Sequence, residues 1–276
     1  MIKKEFISEI PITLFNLLQK DLSSDEILHL LNQGSVWTLN RRIKDPDSII
    51  ESNTTVYIYQ PEFPITEYSL QINNIQYEDD DLLIVYKDAG VNSVPTPMSD
   101  LDNILHGINK YYISQGINHK ANPIHRLDCP TKGLIIFGKN KQSELKMHQL
   151  FKDRKIKKLY IAVTNNISLN SYCSIINDPI EWKGKVQDAI THISLIKTIS
   201  NLSYFRVYPL TGRIHQIRKH MAKHVSPIIG DALYGKGYTR NDEMELACFY
   251  YKFKHPITNK TLEIQYLEEK FRCDSK

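Results

Sequence analysis

Apolar residues in the first 60 positions recur first at helical and then at strand-like spacing. Residues 14–18 carry a helical apolar pattern, and a second amphipathic segment follows Ser23. Ser23 and Glu26 form a capping-box pair, so we expect a helix that begins there and ends at Gly34. Two strand-like runs follow, at residues 36–40 and 55–59. The pattern predicts a small N-terminal α/β unit over residues 1–62, with a linker at Pro61 and Pro64.

From about Ile75 onward the pattern changes to short β-type runs with few helical segments between them. Strands are predicted at residues 82–85, 134–137 and 158–163. Helices are predicted at residues 101–112, 143–151 and 213–223, the last with Thr211 as its cap. Several strands with few helices indicate an α+β fold: a mixed, largely antiparallel sheet core with flanking helices. We assign this body to residues 70–270.

Composition excludes several classes of protein. The 276 residues are 41% hydrophobic and 24% charged, which is ordinary globular composition. No apolar run approaches the roughly 18–20 residues of a membrane span, and the first residues lack the apolar core of a signal peptide. The cysteines, Cys129, Cys173, Cys248 and Cys273, form no CxxC pair. We therefore expect reduced thiols, a cytoplasmic location and, since no apolar seam is evident, a monomer.

Charge is divided unevenly along the chain. Residues 1–100 hold 7 Lys and Arg against 16 Asp and Glu, whereas residues 101–276 hold 28 against 15. Two runs concentrate the positive charge, at residues 141–158 and 206–223. Either run alone is consistent with a solvated face. Together they indicate a polyanionic partner for the body.

Two polar segments stand out as candidate chemistry. In the first, Asp128 lies two residues from Arg126 with Pro130 close behind, and the alternative is that Asp128 only caps a turn. In the second, Gly212 and the following helix start would leave backbone N–H groups free for an anion. Arg213 in that first turn opposes the helix dipole, which favours a carboxylate partner for it; an arginine reaching solvent is the alternative.

These segments resemble the RluA-type pseudouridine synthases. The resemblance spans about residues 75–266 and rests on four ordered strings: Glu78 to Val85 with Lys87 and Gly90, His125-Arg126-Leu127-Asp128 with Thr131 and Gly133, Lys158 to Val163, and Leu210-Thr211-Gly212-Arg213 with His215-Gln216-Ile217-Arg218. It implies the pseudouridine synthase fold for the body. The N-terminal unit is similar to an S4-type RNA-binding module in the order of its elements.

The resemblance also implies roles for single residues. Asp128 matches the catalytic aspartate, and Arg213 matches the arginine that pairs with it. Tyr160 matches the tyrosine that packs on the target base and takes a proton from C5. Arg126 matches a residue that occupies the space of the extruded base. Asp88 and Lys132 depart from the family pattern, where a proline and a small hydroxyl residue are common.

The implied reaction breaks the N1–C1′ bond of uridine and forms a C5–C1′ bond, so it requires no cofactor and no metal. It does require an anionic group beside the sugar, an aromatic face for the flipped base and cations for the RNA backbone. In the body Lys158, Arg218 and Lys219 are candidate phosphate contacts. Three histidines near the last helix, at positions 215, 220 and 224, lack the HExxH pattern of a zinc enzyme.

The choice of RNA stays open at this point. An N-terminal S4-like unit favours large-subunit ribosomal RNA, with transfer RNA as the alternative. A third reading is an RNA-binding or ribosome-assembly factor without catalysis, which the presence of Asp128, Tyr160 and Arg213 argues against. Arg41 and Arg42 form a basic patch in the N-terminal unit, although its overall acidity leaves a packing role equally open.

Overall fold

A computed structural model of the chain describes residues 2–61, 64–165, 171–266, 268 and 271. By their contacts they divide into two units, residues 1–70 with 94–116 and residues 71–93 with 117–276. Segment 94–116 is thus assigned to the first unit although it follows the start of the second in sequence. The linear boundaries at 1–62 and 70–270 stay a prediction, and residues 62 and 63 of the expected linker lie outside the described part.

The first unit contains short strands and three helices among its described residues. Its elements are β1 (Ile2–Ile7), β2 (Ile12–Thr13), α1 (Leu14–Leu18), α2 (Ser24–Gln33), β3 (Val36–Thr38), β4 (Arg41–Arg42), β5 (Ile49–Ile50), β6 (Thr55–Gln60) and α3 (Ile104–Ser114). The predicted capping box of α2 is present, with Ser23 and Glu26 bonding each other's backbone N–H groups. Gly34 ends the helix in the left-handed conformation, as expected.

The sheet of this unit has the strand order β1-β6-β3-β4, and β2 pairs with β5. Leucines of α1 and α2 pack on the inward residues Val36, Val56 and Ile58 of the sheet, and all are buried. Burial of this apolar face stabilises the unit by about 25 cal/mol per Å². The similarity to S4-type modules stays a prediction.

The second unit carries most of the sheet. Its elements are a 3₁₀ turn (Ile72–Asn74), β7 (Ile75–Glu78), β8 (Leu82–Lys87), β9 (Asn122–Pro123), β10 (Lys132–Gly138), α4 (Lys141–Lys152), β11 (Lys157–Asn165), β12 (Cys173–Asn177), β13 (Ile180–Trp182), β14 (Lys185–Gln187), β15 (Ile190–Ile199), β16 (Leu202–Pro209), α5 (Gln216–His224), β17 (Leu246–Lys254) and β18 (Thr261–Gln265).

Within the described residues these strands form a ten-stranded sheet of order β12-β15-β16-β11-β17-β10-β8-β7, with β18 on β17 and β9 on β10. Only the pair of β10 with β17 is parallel. Helix α4 packs against β10, and α5 packs against β15 and β16. The predicted α+β fold with a mixed, largely antiparallel sheet is therefore confirmed.

The two strands β8 and β10 are buried along their whole length. Such continuous burial needs cover on both faces of the sheet, which explains their unbroken apolar character. By contrast β16 alternates buried and more exposed positions, as a strand with one covered face does. The loop that carries Asp128 leads directly into β10, so the end of this loop is anchored in a fully buried strand.

Two predictions in this half of the chain need correction. Helix α5 begins at Gln216 and not at Arg213, and its cap is His215 with a φ of 55°. Thr211 does not cap it, because its hydroxyl donates to Gln216 Oε1 and accepts from the Ile190 N–H. The strands between residues 173 and 265 were not anticipated, since their apolar runs are short and interrupted by lysines.

Among the described residues, no helix has the length and apolar character that a membrane crossing requires. Among the described residues Cys129, Cys173 and Cys248 form no disulfide, and Cys273 lies outside the described part of the chain.

Gly133 supplies a test of how closely β10 approaches β17. Its φ is +118°, and an added Cβ would lie 2.2 Å from the carbonyl oxygen of Cys248. We predict that Gly133→Ala lowers the free energy of unfolding by about 3 kcal/mol or more, because the neighbouring atoms are backbone and cannot move aside.

The matched control is Gly237→Ala, where φ is +81° but no atom lies within 4 Å of the added Cβ. Backbone strain alone should cost that variant about 1 kcal/mol. Denaturant unfolding of both variants measures the difference, and equal losses would contradict the close approach of the two strands.

Candidate active site

The loop that carries Asp128 is tied down on both sides of that residue. Ser93 is buried, accepts the N–H of Leu127 at 3.0 Å and donates its hydroxyl to the carbonyl of Leu127 at 2.7 Å. The Asp128 carbonyl accepts the Thr131 N–H at 2.9 Å, which closes a turn. The carboxylate therefore projects from a backbone with little freedom to move.

Lys87 fastens the same loop from the end of β8. Its side chain is fully buried, and its ammonium donates to three carbonyl oxygens, those of Asp88, Val91 and Cys129, at 2.8–3.0 Å. Burial lowers the pKa of Lys87 to about 8, so at pH 7 the amine keeps its proton and all three donors are used. The lysine thus links strand β8 to the residue next to Asp128.

The Asp128 carboxylate faces Arg218 on helix α5. Arg218 Nη1 lies 3.4 Å from Asp128 Oδ2, while its Nε and Nη2 donate to the two oxygens of Asp231 at 2.8 and 2.7 Å. The Asp231 side chain is fully buried and also accepts the N–H groups of Leu233 and Tyr234. This two-point contact fixes the plane of the guanidinium and aims its remaining nitrogen at Asp128.

Electrostatics hold Arg218 and Asp231 in their charged forms. Burial by itself lowers the pKa of Arg218, but the hydrogen bonds and charges of Asp231 and Asp128 outweigh it and raise that pKa. Burial likewise raises the pKa of Asp231, yet Arg218 outweighs it and the pKa is lowered. The buried guanidinium is compensated from both sides.

This arrangement corrects two expectations from the sequence. Arg213 does not pair with Asp128: its Nε donates to the carbonyl of Asp188 at 2.9 Å, and its backbone N–H donates to Gln216 Oε1 at 3.0 Å. Arg218 is not a surface contact, since its side chain is only 6% exposed and is engaged with two carboxylates. Helix α5 begins at Gln216, so Arg213 precedes the helix and Arg218 lies on its inward, buried face.

Tyr160 lies in β11, next to an irregularity in the pairing with β17. It is 8% exposed, and its hydroxyl makes hydrogen bonds with Cys248 and Tyr251. Tyr251 in turn lies 3.2 Å from Nε2 of His125, which also accepts the Ile136 N–H. Burial raises the pKa of Tyr160 well above its usual range, so the phenol stays protonated.

An open cavity of about 120 Å³ brings the predicted catalytic residues together. Asp128 and Tyr160 line it, and so do Arg213, Arg218 and His215. Arg126 and Lys158 also line it, Arg126 with an exposed side chain. The cavity thus brings these residues together, with Arg218 and not Arg213 facing Asp128, and their roles in the reaction stay a prediction.

A second, larger cavity of about 440 Å³ shares Lys158, Gly212 and Arg213 with the first. Its other basic residues are Lys152 and Arg154. The Lys158 ammonium lies 3.6 Å from the position of a Cβ added to Gly212, and burial lowers its pKa. Adjacent cavities with cations on a shared wall suit a phosphate-linked chain whose one base enters the smaller cavity.

The His215 ring is a second neighbour of the Asp128 carboxylate, besides Arg218. Its Nε2 lies 3.8 Å from Asp128 Oδ2, and its Nδ1 lies 2.9 Å from the Tyr234 hydroxyl. Burial lowers the pKa of His215 in spite of the attraction of Asp128, so the ring is neutral at neutral pH.

The other residues expected to bind RNA make contacts within their own units. Lys219 donates to the Glu181 carbonyl at 2.8 Å. In the first unit Arg41 is exposed, whereas Arg42 pairs with Asp100 and stacks on Trp37. Of the basic pair, only Arg41 thus presents its charge to solvent.

Both departures from the family pattern are accommodated within the second unit. The Lys132 ammonium is almost fully buried but lies within ion-pair distance of three glutamates, Glu243, Glu245 and Glu268. The Asp88 carboxylate accepts a hydrogen bond from Asn74 at 3.2 Å.

One group of potential metal ligands occurs among the described residues, formed by Asp79, Asp81 and His255. His255 Nδ1 accepts two backbone N–H groups, and its Nε2 lies 3.0 Å from Asp79 Oδ2. Asp79 further accepts the N–H groups of Asp81 and Leu82. These contacts account for the group as a hydrogen-bonded turn before β8.

Reasoning from sequence missed several supporting residues, namely Lys87, Ser93, Asp231, Cys248 and Tyr251, as parts of the site. A signal for Asp231 was available: Arg218 lies beside Ile217 and Met221 on the apolar face of α5, and a buried arginine requires a carboxylate. The tyrosine and cysteine contacts of Tyr160 depend on strand register, for which the sequence offers no comparable signal.

Comparisons with known proteins agree with the geometry. The family model described as RNA pseudouridylate synthase matches residues 81–223. A protein of Rickettsia bellii named ribosomal large subunit pseudouridine synthase C is 35% identical over 58% of this chain and 56% of its own length. An uncharacterized RNA pseudouridine synthase of Bacillus subtilis is 30% identical over 74% of this chain and 70% of its own.

Among solved structures, human RNA pseudouridylate synthase domain containing 4 is similar with a TM-score of 0.59 and 19% identity, over 72% of this chain and 90% of that one. At that identity the likeness concerns the fold alone. The chain spans 56% and 64% of the length of two Rickettsia relatives that it matches.

The buried ion pair yields a stability test. Arg218→Met leaves the Asp231 carboxylate buried without its cation, so we predict a loss of about 3–5 kcal/mol in the free energy of unfolding. Adding Asp231→Asn to that variant should recover part of the loss, because the uncompensated charge is then removed.

Arg213→Met is the matched control, since that side chain makes one hydrogen bond to a backbone carbonyl and should cost about 1 kcal/mol or less. Denaturant unfolding distinguishes them. Similar losses for Arg213→Met and Arg218→Met would contradict the assignment of the ion pair to Arg218.

Proposed function

The chain belongs to the RNA pseudouridylate synthase family, and from that premise we propose that it isomerises specific uridines of RNA to pseudouridine. The matched region contains Asp128, Tyr160 and Arg218, and the resemblance to RluA-type enzymes is confirmed. The observation that carries the proposal is that these three side chains line one open cavity.

Asp128 supplies the negative charge that the reaction needs. The N1–C1′ bond of uridine breaks, a C5–C1′ bond forms, the proton of C5 leaves and N1 gains a proton, so atoms and electrons balance without an outside reactant. An ionised carboxylate beside the sugar acts here as nucleophile or as base. At 33% side-chain exposure Asp128 is accessible to a substrate, while its loop is held by Ser93 and Lys87.

Arg218 orients that carboxylate and offsets its negative charge. Its guanidinium is already fixed by Asp231, so little reorganisation is required when a base enters the cavity. Arg213 does not pair with Asp128. Arg213 and Arg126 line the cavity and contact the substrate from its wall.

Tyr160 contributes the face of its ring. Its hydroxyl is hydrogen-bonded in the interior and its pKa is far above neutrality, which supports a packing role and argues against removal of the C5 proton by the phenol. A base flipped out of its stack costs a few kcal/mol, and one aromatic contact returns about 1–3 kcal/mol.

We further propose large-subunit ribosomal RNA as the substrate, supported by the printed names of the Rickettsia relatives and by the cations that line both cavities. Transfer RNA is the competing outcome. A monomeric state and a cytoplasmic location complete the proposal.

We predict that deleting the gene removes one or more pseudouridines from large-subunit ribosomal RNA, as read by chemical mapping of total RNA. Wild-type protein added to that RNA should restore them with release of tritium from C5-labelled uridine. Asp128→Asn, which keeps the shape but removes the charge, should lower the rate at least about 10³-fold.

Val186→Ala, at an exposed position that does not line the cavity, serves as the control and should keep the wild-type rate. Loss of pseudouridine from transfer RNA alone would refute the choice of substrate. Equal tritium release by wild type and Asp128→Asn would refute the proposed activity of this site.

A further inference from the structure

A short hairpin stands apart from the main sheet beside the cavity. Strands β13 and β14 pair only with each other among the described residues, and Trp182 pairs with Lys185 across them. The two residues of the turn, Lys183 and Gly184, both have positive φ, at 49° and 74°. Such a turn matches the twist of a two-residue hairpin and makes the tip rigid.

Trp182 leans from this hairpin toward the active site. Its ring centroid lies 5.7 Å from that of His215, whose Nε2 is 3.8 Å from Asp128 Oδ2. The Lys219 ammonium lies 5.6 Å from the Trp182 ring and donates to the carbonyl of Glu181 at 2.8 Å. The His215 ring therefore lies between the indole and the Asp128 carboxylate.

The indole is also open to solvent. Trp182 remains 39% exposed. The apolar surface of an indole favours burial, so an exposed ring on a folded hairpin indicates a contact surface. Lys183 and Lys185 at the tip of the hairpin are exposed, and the partly buried Lys219 of α5 lies beside the ring; Glu181 is the exposed acid next to it. An exposed aromatic ring framed by lysines is the combination that binds single-stranded nucleic acid.

We propose that Trp182 is a stacking platform for the unpaired base next to the uridine that enters the cavity, and that the lysines of the hairpin contact the phosphates of that nucleotide. The proposal rests on the proposed function, because the occupant is the RNA substrate itself. Trp182 touches a flanking base and not the reacting atoms. Its contribution is therefore to substrate affinity and to the choice of site.

A fluorescence experiment tests the contact directly, since the chain has two tryptophans. In a Trp37→Phe variant Trp182 is the only tryptophan, so excitation at a wavelength that tyrosines do not absorb reports on it alone. Binding of heptauridylate should quench most of that emission. A heptamer of abasic ribose phosphates keeps the charge but lacks the bases, and it should leave the emission unchanged. The reciprocal variant Trp182→Phe, which retains Trp37, should show no quenching by heptauridylate.

Kinetics on RNA from the deletion strain supply the second readout. Trp182→Ala should raise KM about tenfold and leave kcat within about twofold, whereas Trp182→Phe should restore most of the affinity because a ring is still present. Val186→Ala on the same hairpin is 69% exposed and should leave both constants unchanged.

The proposal is overturned if heptauridylate leaves Trp182 emission unchanged, whether or not a fluorescein-labelled heptamer binds. It is also overturned if Trp182→Ala lowers kcat with KM unchanged, since that result indicates only a structural support of His215. Absence of pseudouridine formation by the wild-type protein would refute the proposed function instead, and the quenching result is independent of it.

Discussion

One buried guanidinium, that of Arg218, determines the geometry of the site. A charge in the interior is tolerated only when it is paired on every side, and here Asp231 binds two of its nitrogens while the third faces Asp128. Asp231 is itself held by the N–H groups of Leu233 and Tyr234. Helix α5 and the segment after it therefore fix the direction from which Asp128 meets its substrate.

The opposite side of the site depends on hydrogen bonds from buried strands. Lys87 at the end of β8 and Ser93 after it bind the backbone on either side of Asp128. Tyr160 is positioned from a third direction by β11, with Cys248 and Tyr251 holding its hydroxyl. Because each group is fixed by a different element, a uracil base that enters the cavity meets a preorganised carboxylate and ring.

The sequence predicts those features of the fold that depend on neighbouring residues alone. The capping box at Ser23 and the turn at Gly34 depend on neighbouring residues alone, and both were correctly predicted. Asp128 and Tyr160 were found through the motifs that carry them. The arginine was assigned incorrectly because Arg213 and Arg218 lie five residues apart, and the choice depends on where α5 begins. Gln216 contributes to that start. It accepts from the Thr211 hydroxyl and the Arg213 N–H, and its amide donates to Ile190 and Thr191 of β15, which lie far away in sequence.

The account is tested most directly by a crystal structure of the protein with RNA that carries 5-fluorouridine at the mapped position. Fluorine stands in place of the C5 proton whose loss completes the reaction, so the base should be retained in the cavity. We predict that its ring lies against Tyr160, that an Asp128 carboxylate oxygen contacts C1′ of the sugar, and that Arg218 still bridges Asp128 and Asp231. A uracil outside the cavity, or an Asp128 carboxylate turned away from the sugar, would contradict the account.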